Sequence, residues 1–166
     1  MDHVPWLDDT EMRIWLAYLE ATGRVNQHLD ATVKEAADLR FDDYEVLVHL
    51  SEADDRRLRM TELSERLLHS QARLTQRINR LADRGLVRRE KCPEDRRGTF
   101  AVITDDGIEL ITRVAPIHVA DVRARLIDLI EPEEREVIAR VLERIAAAAK
   151  DGVGRPMPVD GRVGLA

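Results

Sequence analysis

The order of elements in this chain predicts a mainly helical fold with one small β-hairpin, an α+β arrangement in which long helices flank a winged helix-turn-helix domain. Three observations predict it. A short helix, a tight turn and an arginine-rich helix follow one another across residues 61–83. Two strand-like runs, 86–92 and 99–103, enclose a charged turn. Long helical segments on either side carry apolar stripes that a small winged domain cannot cover. Those stripes call for another partner, most simply a second copy of the chain.

Each element has its own signal. Residues 9–39 read as one long helix, with Trp15, Tyr18, Leu19, Thr22, Val25, Leu29 and Val33 at three- and four-residue steps. Asp8, Asp9 and Thr10 are its candidate caps. Asp42 or Asp43 is the expected cap of a second helix over 44–51. The run 52–57 reads as a loop, and 58–60 as a very short strand. Thr61 is the expected N-cap of a third helix with Leu63, Leu67 and Leu68 inward. Ser70 caps a fourth helix over 71–83, and Gly85 supplies its left-handed end. Thr104, Asp105 and Asp106 cap a fifth helix expected over 107–129. Pro116 falls inside it, and a proline there loses a donor and clashes one turn back, so a kink or break is expected. Pro132 sits at the first turn of a sixth helix, with Val137, Ile138, Val141, Leu142 and Ile145 as its stripe.

The division that follows is an N-terminal arm over 1–8, a helical dimerisation region over 9–39 and 107–149, and a winged domain over 42–104. Residues 151–166 hold four glycines and two prolines and read as a disordered tail.

Charge singles out one region. Residues 70–97 contain nine arginines and lysines against four acids, a local +5 in a chain whose formal net charge is −6. The remainder therefore carries −11. A basic patch on an acidic protein points to a polyanion. On the fourth helix, stepping about 100° per residue from Arg73 puts Arg77 near 40°, Arg80 near −20° and Arg84 near 20°. Gln76 lies beside them at about −60°, while Leu74, Ile78 and Leu81 lie between about 80° and 140°. The arginine face, read as outward, suits a DNA major groove, where Arg pairs with guanine and Gln with adenine. A solvated face would instead bring compensating acids at four-residue spacing, and only Asp83 is near. Ser70, Gln71, Arg73, Thr75, Gln76, Arg77 and Arg80 are thus the predicted DNA-facing residues, with Ser70 and Thr75 suited to phosphate.

The motif Leu81, Arg84-Gly85-Leu86-Val87-Arg88-Arg89, Asp95-Arg96-Arg97-Gly98 and Ile103-Thr104 with Gly107 resembles the MarR family of bacterial winged-helix transcription regulators. The resemblance spans residues 9–149 by helix order and length. It implies a homodimer joined through the first, fifth and sixth helices. It also implies a palindromic double-stranded DNA site, most often bound by a repressor, and release by a small ligand or an oxidant. By the same resemblance, Asp95 fixes the wing, Arg96 meets phosphate and Arg97 enters the minor groove. A ligand pocket is implied between the dimer helices and the winged domain. By position, Trp15, Tyr18, Tyr44, His49 and His118 are its candidates for a phenolic or aromatic effector, although plain packing is the favoured reading for each.

Other chemistry finds no pattern. No nucleophile elbow, phosphate loop or metal-protease signature is present, so no enzyme and no cofactor is expected. The histidines at 3, 28, 49, 69 and 118 show no pairing at helical spacing, and no metal is expected. The single cysteine, Cys92, fits a reducing cytoplasm. It is readable as a wing-base thiol activated by Lys91 or as a small strand residue before Pro93. No apolar run reaches a membrane span, and the first residues lack the pattern of a secretory signal. The alternative functional reading is a winged-helix dimer that binds a ligand or a protein without binding DNA.

Overall fold

The computed structural model describes residues 6–92 and 98–150. The chain divides into two compact units, Met1–Leu126 and Ile127–Ala166.

The first unit opens with α1, Asp9–Ala37. Asp8 is its cap and completes a capping box. Its carboxylate accepts from the backbone N–H groups of Thr10 and Glu11 (2.8 Å each), and the Glu11 carboxylate accepts from Asp8 N–H at 2.9 Å. Of the long apolar stripe, Leu29, Val33 and Ala37 are buried, whereas Trp15, Tyr18 and Leu19 stay exposed. The helix stops two residues before the expected end because Asp38 turns left-handed, at φ 51°.

Helix α2, Phe41–Ser51, starts three residues earlier than expected. Neither Asp42 nor Asp43 caps it. Asp30 of α1 reaches across and accepts from Phe41 N–H at 2.8 Å, a cap supplied from another helix. The expected loop holds one 3-10 turn, Asp54–Arg56, and leads into β1, Arg57–Arg59. Met60 begins α3, Met60–Arg66, rather than ending the strand. Thr61 therefore lies inside α3 and is not its cap.

Leu68, left-handed at φ 54°, turns the chain into α4, Gln71–Asp83. The Ser70 hydroxyl accepts from Arg73 N–H at 3.3 Å. The far end closes in a Schellman motif about Gly85, at φ 73°. There Leu86 N–H bonds Leu81 C=O and Gly85 N–H bonds Ala82 C=O, both at 2.9 Å. Strands β2, Val87–Lys91, and β3, Thr99–Ile103, pair antiparallel with Val87 opposite Ile103 and Lys91 opposite Thr99. Strand β1 pairs with the other edge of β3, giving the order β1-β3-β2.

Helix α5, Asp105–Arg125, begins where Thr104 ties three elements together. The Thr104 hydroxyl donates to Gly85 C=O at 2.7 Å and accepts from Gly107 N–H at 3.1 Å. A Cβ on Gly107 would stand 2.5 Å from the Leu86 carbonyl oxygen, so only glycine fits this helix–sheet approach. The helix runs uninterrupted through Pro116, against the expected break, and ends at Arg125. The core joins Val33 of α1, Leu47 of α2, Leu63 of α3, Leu74 and Ile78 of α4, Ala101 of β3 and Val114 of α5.

The second unit contains one 3-10 turn, Ile127–Leu129, and α6, Pro132–Lys150. Pro132 is its first residue, and the Glu134 carboxylate accepts from Glu131 N–H at 3.2 Å. Its apolar residues Val137, Leu142 and Ile145 are exposed. Among the described residues, no helix is long and apolar enough to cross a membrane.

Candidate nucleic-acid interface

Helix α4 is held by Leu74, Ile78 and Leu81, each fully buried. The sequence placed its arginines on the outer face. The structure corrects this for Arg77, while Arg80 and Arg84 stay exposed but are engaged by neighbouring groups. Arg77 is buried at 4% exposure, and its guanidinium is ion-paired with Asp42 and lies 3.9 Å from Asp43. Arg80 grips Asp43 with two hydrogen bonds, at 2.8 and 3.2 Å. Arg84 donates to the carbonyls of Asp38 (2.7 Å) and Ala37 (2.9 Å) at the end of α1. The compensating acids exist, but they come from α2. Asp43, itself buried, sits between two arginines.

Burial and the neighbouring cations Arg80 and Arg40 pull the Arg77 guanidinium below its usual pKa. Its Nε and Nη1 have no hydrogen-bond partner among the described residues. Swinging Arg77 outward would strand Asp43 against a single arginine. Breaking a buried charge pair costs on the order of 3–5 kcal/mol. A bidentate base contact returns only about 1–3 kcal/mol. Arg77 therefore stays where it is.

The exposed surface of α4 holds Ala72, Arg73, Thr75, Gln76, Asn79 and the half-exposed Arg80. Asn79 and Ala72 were missed from sequence. The signal was available: the direction opposite the centre of the Leu74, Ile78, Leu81 stripe falls near Gln76, not near the arginines. Gln71 is exposed at the start of the helix but commits its side-chain N–H to the Ser64 hydroxyl at 2.5 Å.

A cleft of about 430 Å³ lies beside this face, lined by Arg59, Met60, Thr61, Gln71, Thr75, Arg89, Gly98 and Thr99. Arg89 on β2 donates to Thr75 C=O at 3.3 Å and so couples the hairpin to α4. Phe100 on β3 lies under the guanidinium groups of Arg57 (5.0 Å) and Arg59 (5.5 Å). Cys92 closes the hairpin base, with its N–H on Gly98 C=O at 3.0 Å. Its buried sulfur accepts from Arg59 at 3.2 Å, which fits the reading of Cys92 as a packed strand-end residue. Asp95, Arg96 and Arg97 lie outside the described residues.

The five effector candidates do not form one group. Tyr44 and His118 meet, ring centroids 5.1 Å apart, and Phe41 joins them at 5.6 Å from His118. Trp15 and Tyr18 stack on each other at 6.2 Å along the exposed half of α1. His49 lies in the last turn of α2. Burial lowers the pKa of His118, with Asp121 opposing the shift. Phe41 was not foreseen in this cluster. Among the described residues, no group of three or more His, Cys, Asp or Glu is placed to hold a metal.

Comparison with known proteins agrees with this architecture. A profile described as the MarR family matches residues 37–98. AbsC, a MarR family transcriptional regulator from Streptomyces coelicolor, is 40% identical and superposes with a TM-score of 0.86 over 89% of this chain and 99% of its own. Sco3205, a MarR family transcriptional regulator from the same organism solved in complex with DNA, is 40% identical with a TM-score of 0.83 over 87% of this chain and 93% of its own. The HTH-type transcriptional regulator MhqR of Bacillus subtilis (strain 168) is 26% identical, covering 87% of this chain and 97% of that protein. With its helix-turn-helix, its three-stranded wing sheet and 40% identity to AbsC along nearly its whole length, the chain belongs to the MarR family of transcriptional regulators.

Proposed function

We propose that this protein is a cytoplasmic, homodimeric regulator that binds palindromic double-stranded DNA through α4 and the wing, and acts as a repressor released by a small aromatic effector. The observation that carries the reading is the outer face of α4. It is an exposed polar helix surface beside a basic hairpin, with Arg77 buried and Arg80 and Arg84 engaged by neighbouring groups. Arg73 and the helix N-terminus at Ser70 supply positive charge and N–H donors for phosphate. Thr75 and Gln76 face the groove, Gln71 braces the turn through Ser64, the buried Arg77 holds the helix from behind, and Arg80 pairs with Asp43 at its flank. Asp95 orders the wing, Arg96 meets phosphate and Arg97 enters the minor groove.

Dimerisation is supported by exposed apolar side chains. Trp15, Leu16 and Leu19 of α1 are 45–55% exposed, and Val137 and Ile145 of α6 are about half exposed. A soluble chain leaves such surface uncovered rarely. Two copies would set two α4 helices in successive major grooves, roughly 34 Å apart. The Phe41, Tyr44 and His118 cluster, where α2 meets α5, is the proposed contact for the effector.

The test is a gel shift with the DNA upstream of the protein's own gene and with a scrambled duplex, across salt and with phenolic acids added. The expected result is preference for the upstream DNA, affinity that falls steeply with salt, and release by a phenolic acid. Equal affinity for both duplexes would overturn the reading.

A further inference from the structure

The outward surface of α4 carries two amides beside Arg73 and the half-exposed Arg80, and this bears on which bases it reads. Stepping about 100° per residue from Arg73, Ala72 lies near −100°, Gln76 near −60° and Asn79 near −120°. All three are exposed, opposite the buried Leu74, Ile78 and Leu81. The side chains of Gln76 and Asn79 make no hydrogen bond among the described residues. Asp83, exposed on the same face one turn further on, keeps the C-terminal end away from phosphate. Contact is thereby limited to the first turns of the helix, as in other helix-turn-helix proteins.

From this placement we infer that Gln76 and Asn79 are the base-reading residues, and that the major-groove core of each half-site is made of A·T pairs. The inference rests on the DNA-binding reading above. A side-chain amide is the one neutral group that matches adenine in both directions, donating to N7 and accepting from the N6 amino group. Ala72 offers a methyl group to the thymine methyl. Of the arginines, the usual readers of guanine, Arg77 is buried on Asp42 and Asp43, while Arg80 and Arg84, though exposed, are engaged by Asp43 and by two carbonyls. Those arginines are positioning residues: they fix the angle at which the amide face is presented.

Selection of bound duplexes from a randomised library, with full-length wild type, Gln76→Ala and Asn79→Ala, tests this. Wild type should select half-sites with adenine at two major-groove positions. Each variant should lose the adenine preference at one of them by roughly 5- to 150-fold, the discrimination of one bidentate contact. Helicity and the salt dependence of binding should match wild type, since neither residue contacts phosphate. Unchanged base preferences in both variants, or a core of guanine alone, would overturn the assignment while leaving DNA binding intact. Failure of the wild type to bind any duplex at low salt would overturn both.

Discussion

Helix α4 carries two polar stripes that differ in charge and in fate. The arginine stripe, Arg77, Arg80 and Arg84, looks made for DNA yet is spent on α1 and α2. The amide stripe, Gln76 and Asn79, is uncharged and exposed, with no side-chain hydrogen bond among the described residues. Charge attracts a polyanion from any direction, whereas recognition needs a side chain that is both exposed and uncommitted. In this helix Arg73 is charged and exposed, whereas Arg77 is buried and Arg80 and Arg84 are engaged by neighbouring groups. The inner face sets the pose, and the outer one is available to read.

The contrast can be broken by mutation. The largest effect should come from Asp43→Ala, which removes the buried carboxylate that sits between the buried Arg77 and the half-exposed Arg80. We expect a loss of about 3–5 kcal/mol in denaturant unfolding. A loss below half of that would mean that the pairs are not what holds α4. Arg84→Ala should cost less, about 1.5–3 kcal/mol, because it removes charged hydrogen bonds to carbonyls at the end of α1 but strands no charge. Gln76→Ala and Asn79→Ala should shift stability by no more than about 0.5 kcal/mol, since neither side chain has a partner to lose. A clear stability loss in either would place that residue in the inner group.

A fourth prediction concerns pH. Burial favours neutral His118, and His69 shares that direction, with burial the larger cause and Arg73 the smaller. Their folded pKa values lie below the ordinary 6.5. The unfolded chain then binds more protons, so stability should fall as pH drops through about 6.5. His118→Phe, which keeps a ring against Phe41 and Tyr44, should flatten that acid limb in urea melts taken between pH 5 and 8. An unchanged limb would assign the effect elsewhere.

Much of the fold was legible because its signals are local. The Ser70 cap, Gly85 at the helix end and Thr104 before α5 each act within a few residues. The antiparallel pairing of Val87–Lys91 with Thr99–Ile103 likewise joins near neighbours in sequence. What escaped depends on partners far along the chain. The Asp30 cap on Phe41 comes from eleven residues away. Asp42 and Asp43 read as caps because acids before an apolar run suit a helix start. Their arginine partners lie 35 and 37 residues ahead, in a helix whose own pattern gives no hint of them. The sequence reading of α4 thus missed the burial of Arg77, and the direction opposite its buried stripe lies roughly a quarter of the helix circumference from the arginines.

Base-analogue interference tests this turn most directly. Each adenine of a selected half-site is replaced in turn by 7-deazaadenine, which lacks the N7 acceptor, and each guanine by 7-deazaguanine. If the amide face reads the groove, two adenine substitutions should weaken binding, and each should have no further effect in the matching Gln76→Ala or Asn79→Ala variant. Binding lost only at guanines, with adenines replaceable at will, would put the arginines back in the groove and contradict the account.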